Sequence, residues 1–241
     1  MLKLSIILAI LSMTFVTHAH AQILDQTQLE PEAKMLRDIR VKEPDRSLSL
    51  SVPLYGGILK FNLIDDFEPA FQAQNARQFI KEYVPAGETV KNWTRMLTIL
   101  AIRNGGQIPR SNQEMVETFG ASRQCTGHSF SRLISEESRD HGLSLTIFTS
   151  GCGKNTGAAY QDAIGGTGEQ NLIFMFRDPT HLQMLQYAER GKSFAENDEP
   201  LGSEEIEALR TRLGPVAFCV PADSAEECQT SRAAEILRKA Q

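Results

Sequence analysis

Polar and apolar residues alternate along much of this chain. SLSLSVPL (47–54) places Leu48, Leu50, Val52 and Leu54 on one side and Ser47, Ser49 and Ser51 on the other, the period of a strand with one buried face. After Gly56-Gly57, ILKFNLI sends Leu59, Phe61 and Leu63 inward against Lys60 and Asn62. The runs QFIKEYV (78–84), WTRMLTILAI (93–102), HSFSRLIS (128–135), LSLTIFT (143–149) and NLIFMF (171–176) read as further strands. Helical spacing occurs elsewhere. PEAKMLRDIR (31–40) carries Met35, Leu36 and Ile39 on one face and is stopped by Pro44. RSNQEMVETFG opens with a capping box, Ser111 and Glu114, and aligns Met115 with Phe119 before Gly120. LGSEEIEALRTRLGP reads as a helix capped by Ser203, with Ile206, Leu209 and Leu213 as its stripe and Gly214-Pro215 as its stop. A terminal helix would dock Ala234, Ile236 and Leu237. Consecutive strands without intervening helices pair antiparallel, so the expected class is α+β: an antiparallel β-sheet with helices packed on it. Residues 191–202, GKSFAENDEPLG, are the candidate mobile loop.

The first 21 residues change the picture of where such a domain works. Lys3, an apolar stretch from Leu4 to Val16 and the tripeptide Ala19-His20-Ala21 form the pattern of a secretory signal cleaved after Ala21. The expectation is a periplasmic or secreted protein, residues 22–241 forming a single α+β domain, with no membrane span in the mature chain. A retained anchor helix is the alternative. The net charge of −5 becomes one unit more negative once Lys3 is lost, and the signs are interspersed. A nucleic-acid partner would call for a basic stripe, so none is expected.

All four cysteines, Cys125, Cys152, Cys219 and Cys228, follow the leader. In an oxidising compartment an even number reads as two disulfides, and of three connectivities Cys125–Cys152 with Cys219–Cys228 is preferred. By chain entropy the two loops would contribute about 3.6 and about 2.6 kcal/mol. Neither zinc spacing nor a C-x-x-C redox pair occurs, and His128, His141 and His181 are not spaced as metal ligands, so no metal or cofactor is expected.

Four stretches suggest chemistry without completing a motif. TSGCGKNTG (149–157) looks like a phosphate loop, but Asn155 follows Lys154 where a hydroxyl must hold magnesium, and Phe148 stands where the first glycine should be. GGTGEQN (165–171) lacks the third glycine of a dinucleotide fingerprint and reads as a hairpin turn between YQDAI and NLIFMF. GHSFS (127–131) resembles a nucleophile elbow with Ser131 in place of its second glycine; a hydrolase built on Ser129 would need a distant His141 or His181. Of the carboxylates Asp65, Asp66 and Glu68, the adjacent Asp65 and Asp66 point to opposite sides of an extended chain, which splits that pair. Asn92-Trp93-Thr94 also spells a glycosylation sequon.

Trp93, the sole tryptophan, opens its strand either as a core anchor or as a ligand-facing aromatic, and is the one candidate ligand-binding residue. It belongs to the pattern P-x-G-E-x4-W-x2-M-x-T: Pro85, Gly87, Glu88, Trp93, Met96 and Thr98. Over roughly residues 75–190 this resembles a family of exported bacterial proteins without an assigned activity, with a downstream cysteine pair as at Cys125 and Cys152, then a glycine before an apolar strand, as at Gly165. The resemblance implies a PsbP-like arrangement and no catalytic residues; Cys219 and Cys228 have no counterpart in it. The functional expectation is a binding or accessory module of the bacterial envelope, whose partner is an envelope protein or a small ligand. The rivals are a periplasmic hydrolase using Ser129 and a secreted inhibitor presenting its disulfide loops.

Overall fold

The computed structural model describes residues 22–42, 48–64, 66–120, 124–139, 142–157, 160 and 163–220. Its elements are β1 (Gln22–Leu24), α1 (Gln26–Lys42), β2 (Leu48–Leu54), β3 (Gly57–Leu63), β4 (Phe67–Gln74), β5 (Gln78–Pro85), β6 (Arg95–Arg103), α2 (Asn112–Gly120), β7 (Ser129–Ser138), β8 (Ser144–Cys152), β9 (Gly168–Arg177), β10 (His181–Gly191), α3 (Ser203–Leu213) and β11 (Ala217–Cys219). Eight strands form one sheet in the order β1-β4-β5-β6-β10-β9-β8-β7, and β11-β3-β2 form a second. Every pairing is antiparallel. The expected α+β class holds in coarse outline, with strands outnumbering helices and two sheets where one was expected.

The main core lies between the sheets. Leu59, Phe61 and Leu63 of β3 meet Leu97, Ile99, Leu185, Tyr187 and Phe176 of the large sheet, with Leu36 of α1 and Leu209 and Leu213 of α3 closing the layer. The alternation of β2 and β3 puts their leucines on this face, and the burial is the hydrophobic drive that holds the sheets together. Gln183, fully buried on central strand β10, donates to the Tyr55 carbonyl at 2.9 Å and so ties the β2–β3 turn to the large sheet. Helix α1 is held to β4 and β5 by Arg37–Glu68 and by Lys81–Glu32, each at 2.7 Å. Among the described residues no helix is long and apolar enough to cross a membrane.

Several expectations are corrected. Helix α1 begins before Pro31, at Gln26, because Asp25 accepts hydrogen bonds from the amides of Thr27 and Gln28 and supplies the cap. Its buried stripe is Leu29, Ala33 and Leu36, which leaves Met35 outward and 53% exposed. Ser203 is the first helical residue of α3 and Gly202 the N-cap, without a side-chain cap bond, whereas the Ser111–Glu114 capping box forms in both directions. Gly214 ends α3 with φ +67° as expected. Trp93 precedes β6 and does not open it. Residues 165–171 are not a hairpin turn: β9 begins at Gly168 and pairs with β8 and β10. Within residues 191–202, Phe194 N–H donates to the Gly153 carbonyl at 3.0 Å and Glu199 accepts from Arg132 at 2.7 Å. The terminal helix and Pro44 lie outside the described residues.

Candidate functional site

The second face of the large sheet carries two separate apolar clusters. At one end α2 lays Met115 and Val116 on Phe148, Ile173, Leu182 and Met184. At the other, Trp93 packs with Ala70, Val84, Met96 and Ala188. Helix α2 spans only part of the sheet, so the strip between the clusters is left as a cavity of about 230 Å³, with Trp93 and Phe119 among its walls and Met96, Met115 and Met184 lining it. Thioether side chains suit such a wall because they adapt to irregular shapes.

A row of polar residues crosses this floor. Glu82 of β5 is paired with Thr98 of β6, and Thr98 with Gln186 of β10, so the three side chains share one face in adjacent strands. All three line the cavity. The row continues through Asn171, whose Oδ1 accepts from Gln186 Nε2 at 2.8 Å, to Ser150. Burial pushes the Glu82 carboxyl up from its ordinary 4.5 to about 7, since no hydrogen bond or cation among the described residues offsets the lost water.

A pH-dependent cost to the fold follows from that shift. The carboxyl is protonated more readily in the folded chain than in the unfolded one, so between pH 4.5 and about 7 the folded state holds the extra proton and stability falls as pH rises. The penalty is absent at more acid pH and complete above the window. Glu82→Gln keeps the shape and removes the charge. It is expected to leave stability unchanged at pH 4 and to raise it by about 2 to 3 kcal/mol at pH 8; urea unfolding at both pH values measures this. An equal effect at the two pH values would show that ionisation is not the cause.

Trp93 is placed by the loop between β5 and β6. Gly87 turns the chain at φ +85°, and the Glu88 carboxylate accepts from Thr94 N–H and from the Thr94 hydroxyl, each at 2.7 Å. The indole then stands under Arg190, whose guanidinium lies 3.7 Å from the ring centroid and 4.3 Å from that of Tyr160. Glu169 accepts from Tyr160 Oη at 2.5 Å and from Arg190 Nε at 3.4 Å, which neutralises the buried cation. Gly165 lies against the same group: a Cβ there would meet Arg190 Cβ at 2.6 Å. Trp93 is only 5% exposed and is also among the residues that line the cavity.

The other sequence candidates are scattered. Ser129 is exposed at the start of β7 and makes no hydrogen bond to a histidine among the described residues. His128 bonds Glu199 at 2.8 Å, and His181 bonds Asp178 and Thr180 in the β9–β10 turn. Asp66 pairs with Arg95 and Glu68 with Arg37, which separates those carboxylates. His141, Asp65 and Cys228 lie outside the described residues. Cys125 and Cys152 form a disulfide, and Cys219 is also disulfide-bonded. Around Lys154 the chain is occupied by its own backbone, with the Lys154 carbonyl accepting from Thr126 N–H at 2.9 Å. No group of three or more potential metal ligands occurs among the described residues.

Glu82 and Gln186 were missed in the sequence. Along QFIKEYV, Glu82 shares a side with Gln78, Ile80 and Val84, and nothing local announces that α2 and Trp93 wall that side in. Gln186 sits in HLQMLQYAER, whose spacing did not read as a strand. Among curated proteins, none matches the chain. Residues 59–160, from β3 to Tyr160, match the model of a protein family, which supports assigning this stretch to an uncharacterised family.

Proposed function

We propose that this chain is an exported, non-catalytic binding module of the bacterial envelope that holds a small, largely apolar ligand in the cavity on the second face of its large sheet, with Trp93 as one wall. The observation that carries the reading is the cavity itself: an apolar recess of about 230 Å³ with a few convergent polar groups, the usual make-up of a small-molecule site. Export rests on the leader and on the cysteine pairing. Cleavage after Ala21 would leave β1 whole, and the Cys125–Cys152 bond suits an oxidising compartment. The exported family and the PsbP-like arrangement rest on the resemblance of the motif running from Pro85 to Thr98, of which Trp93, Met96 and Thr98 line the cavity.

Trp93 is the sole tryptophan, so its emission reports directly on occupancy. Titration with n-octanol, n-octylamine and n-octanoate is expected to give a saturable change in Trp93 fluorescence with at least one of them, at one molecule per chain. No saturable change with any of the three would overturn the reading.

A further inference from the structure

The polar row on the cavity floor is wired so that it presents acceptors. The Ser150 main-chain carbonyl can only accept, so the Asn171 contact to it at 3.5 Å must come from Nδ2. That orients Asn171 Oδ1 towards β10, where it accepts from Gln186 Nε2. One N–H of the Gln186 amide is thereby engaged, and its Oε1 is left without a partner among the described residues. Thr98 stands beside it with a hydroxyl able to accept, and Glu82 beside that with a carboxyl that pairs with no cation. Three neighbouring positions on three adjacent strands thus offer oxygen, and an ammonium carries three donors and the missing positive charge. To either side of the row the lining is apolar, Met96 and Trp93 one way and Leu100 and Met184 the other.

We propose that the ligand is an organic amine: an apolar body carrying one protonated nitrogen, seated on Glu82, Thr98 and Gln186. This deepens the cavity reading and rests on it. An anionic ligand is disfavoured at this spot because it would lie against the Glu82 carboxylate, whereas a cation replaces the solvation that burial removed. The other charged groups lining the cavity are Arg110, whose Nη1 donates to the Thr118 hydroxyl at 3.2 Å at the α2 end, and Glu169, which is engaged by Tyr160 and Arg190. Neither competes for the nitrogen at Glu82.

The test compares n-octylamine, n-octanol and n-octanoate by Trp93 emission at pH 6 and pH 8, in the full chain and in Glu82→Gln. At pH 8 octylamine is expected to bind at least about tenfold more tightly than octanol, the equivalent of about 1.4 kcal/mol. The preference should shrink at pH 6, where Glu82 is mostly protonated, and vanish in Glu82→Gln, which should still bind octanol. Octanol or octanoate binding as tightly as octylamine at pH 8, or an amine preference that survives Glu82→Gln, would overturn the amine assignment while leaving the cavity reading intact. Failure of all three probes would instead remove the cavity reading and this one with it.

Discussion

Trp93→Ala should lower stability by about 4 to 5 kcal/mol. Deleting a buried tryptophan side chain costs about 3 to 5 kcal/mol through lost burial and the void left behind. Here a second loss is added. The Arg190 side chain is only 5% exposed and has the indole 3.7 Å from its guanidinium, and a desolvated contact of this kind is worth about 2 kcal/mol. Without the ring, Arg190 keeps Tyr160 and Glu169 but faces an enlarged cavity. The melting temperature should fall by about 10 °C or more, at the roughly 2 to 4 °C per kcal/mol usual for a chain of this size. Trp93→Phe, which retains an aromatic face, should cost less than half as much. Differential scanning calorimetry decides it: a loss of only about 2 °C for the alanine variant would mean that the ring carries little of the packing.

The second large effect is expected from Cys125→Ser combined with Cys152→Ser. The bond closes a loop with a sequence separation of 27, for which unfolded-chain entropy predicts a loss of about 3 to 4 kcal/mol. Topology decides where that loss shows. Cys152 stands opposite Ser129 at the end of the β7–β8 ladder, and β7 is the edge strand, held in the sheet by β8 alone. Hydrogen exchange should therefore accelerate most in β7 and in the 124–128 segment, with the amides of β6 and β10 slowed almost as before. Uniform acceleration across the large sheet would mean that the bond acts only on the unfolded chain.

What could be read in advance, and what could not, depends on how local each signal was. The β2 and β3 alternation fixed their inward residues, because a single buried face imposes a period of two on the residues themselves. Strand β4 was unreadable for the opposite reason: Pro69 argues against a strand, and the fold admits it at the irregularity between Pro69 and Phe71, where the pairing register shifts. Strand β10 was hidden by Gln183 and Gln186. Both glutamines are tolerated in a central strand because each finds a partner from another element, Tyr55 for one and Asn171 for the other.

By itself the sequence determined that the chain is built of antiparallel strands with helices and where α2 and α3 lie, and it favoured Cys125 with Cys152 among three connectivities. These follow from periodicity, capping chemistry and cysteine pairing, all properties of short stretches. Only the tertiary structure decided that the described strands form two sheets, that Trp93 is at once buried and at the edge of a cavity, and that Glu82 is a half-buried carboxyl with no cation beside it among the described residues. Those depend on which residues, far apart in the chain, come to stand beside one another: the cavity that Glu82 lines is walled by Trp93 and by Met115 and Phe119 of α2 as well as by Gln78 and Ile80 of its own strand.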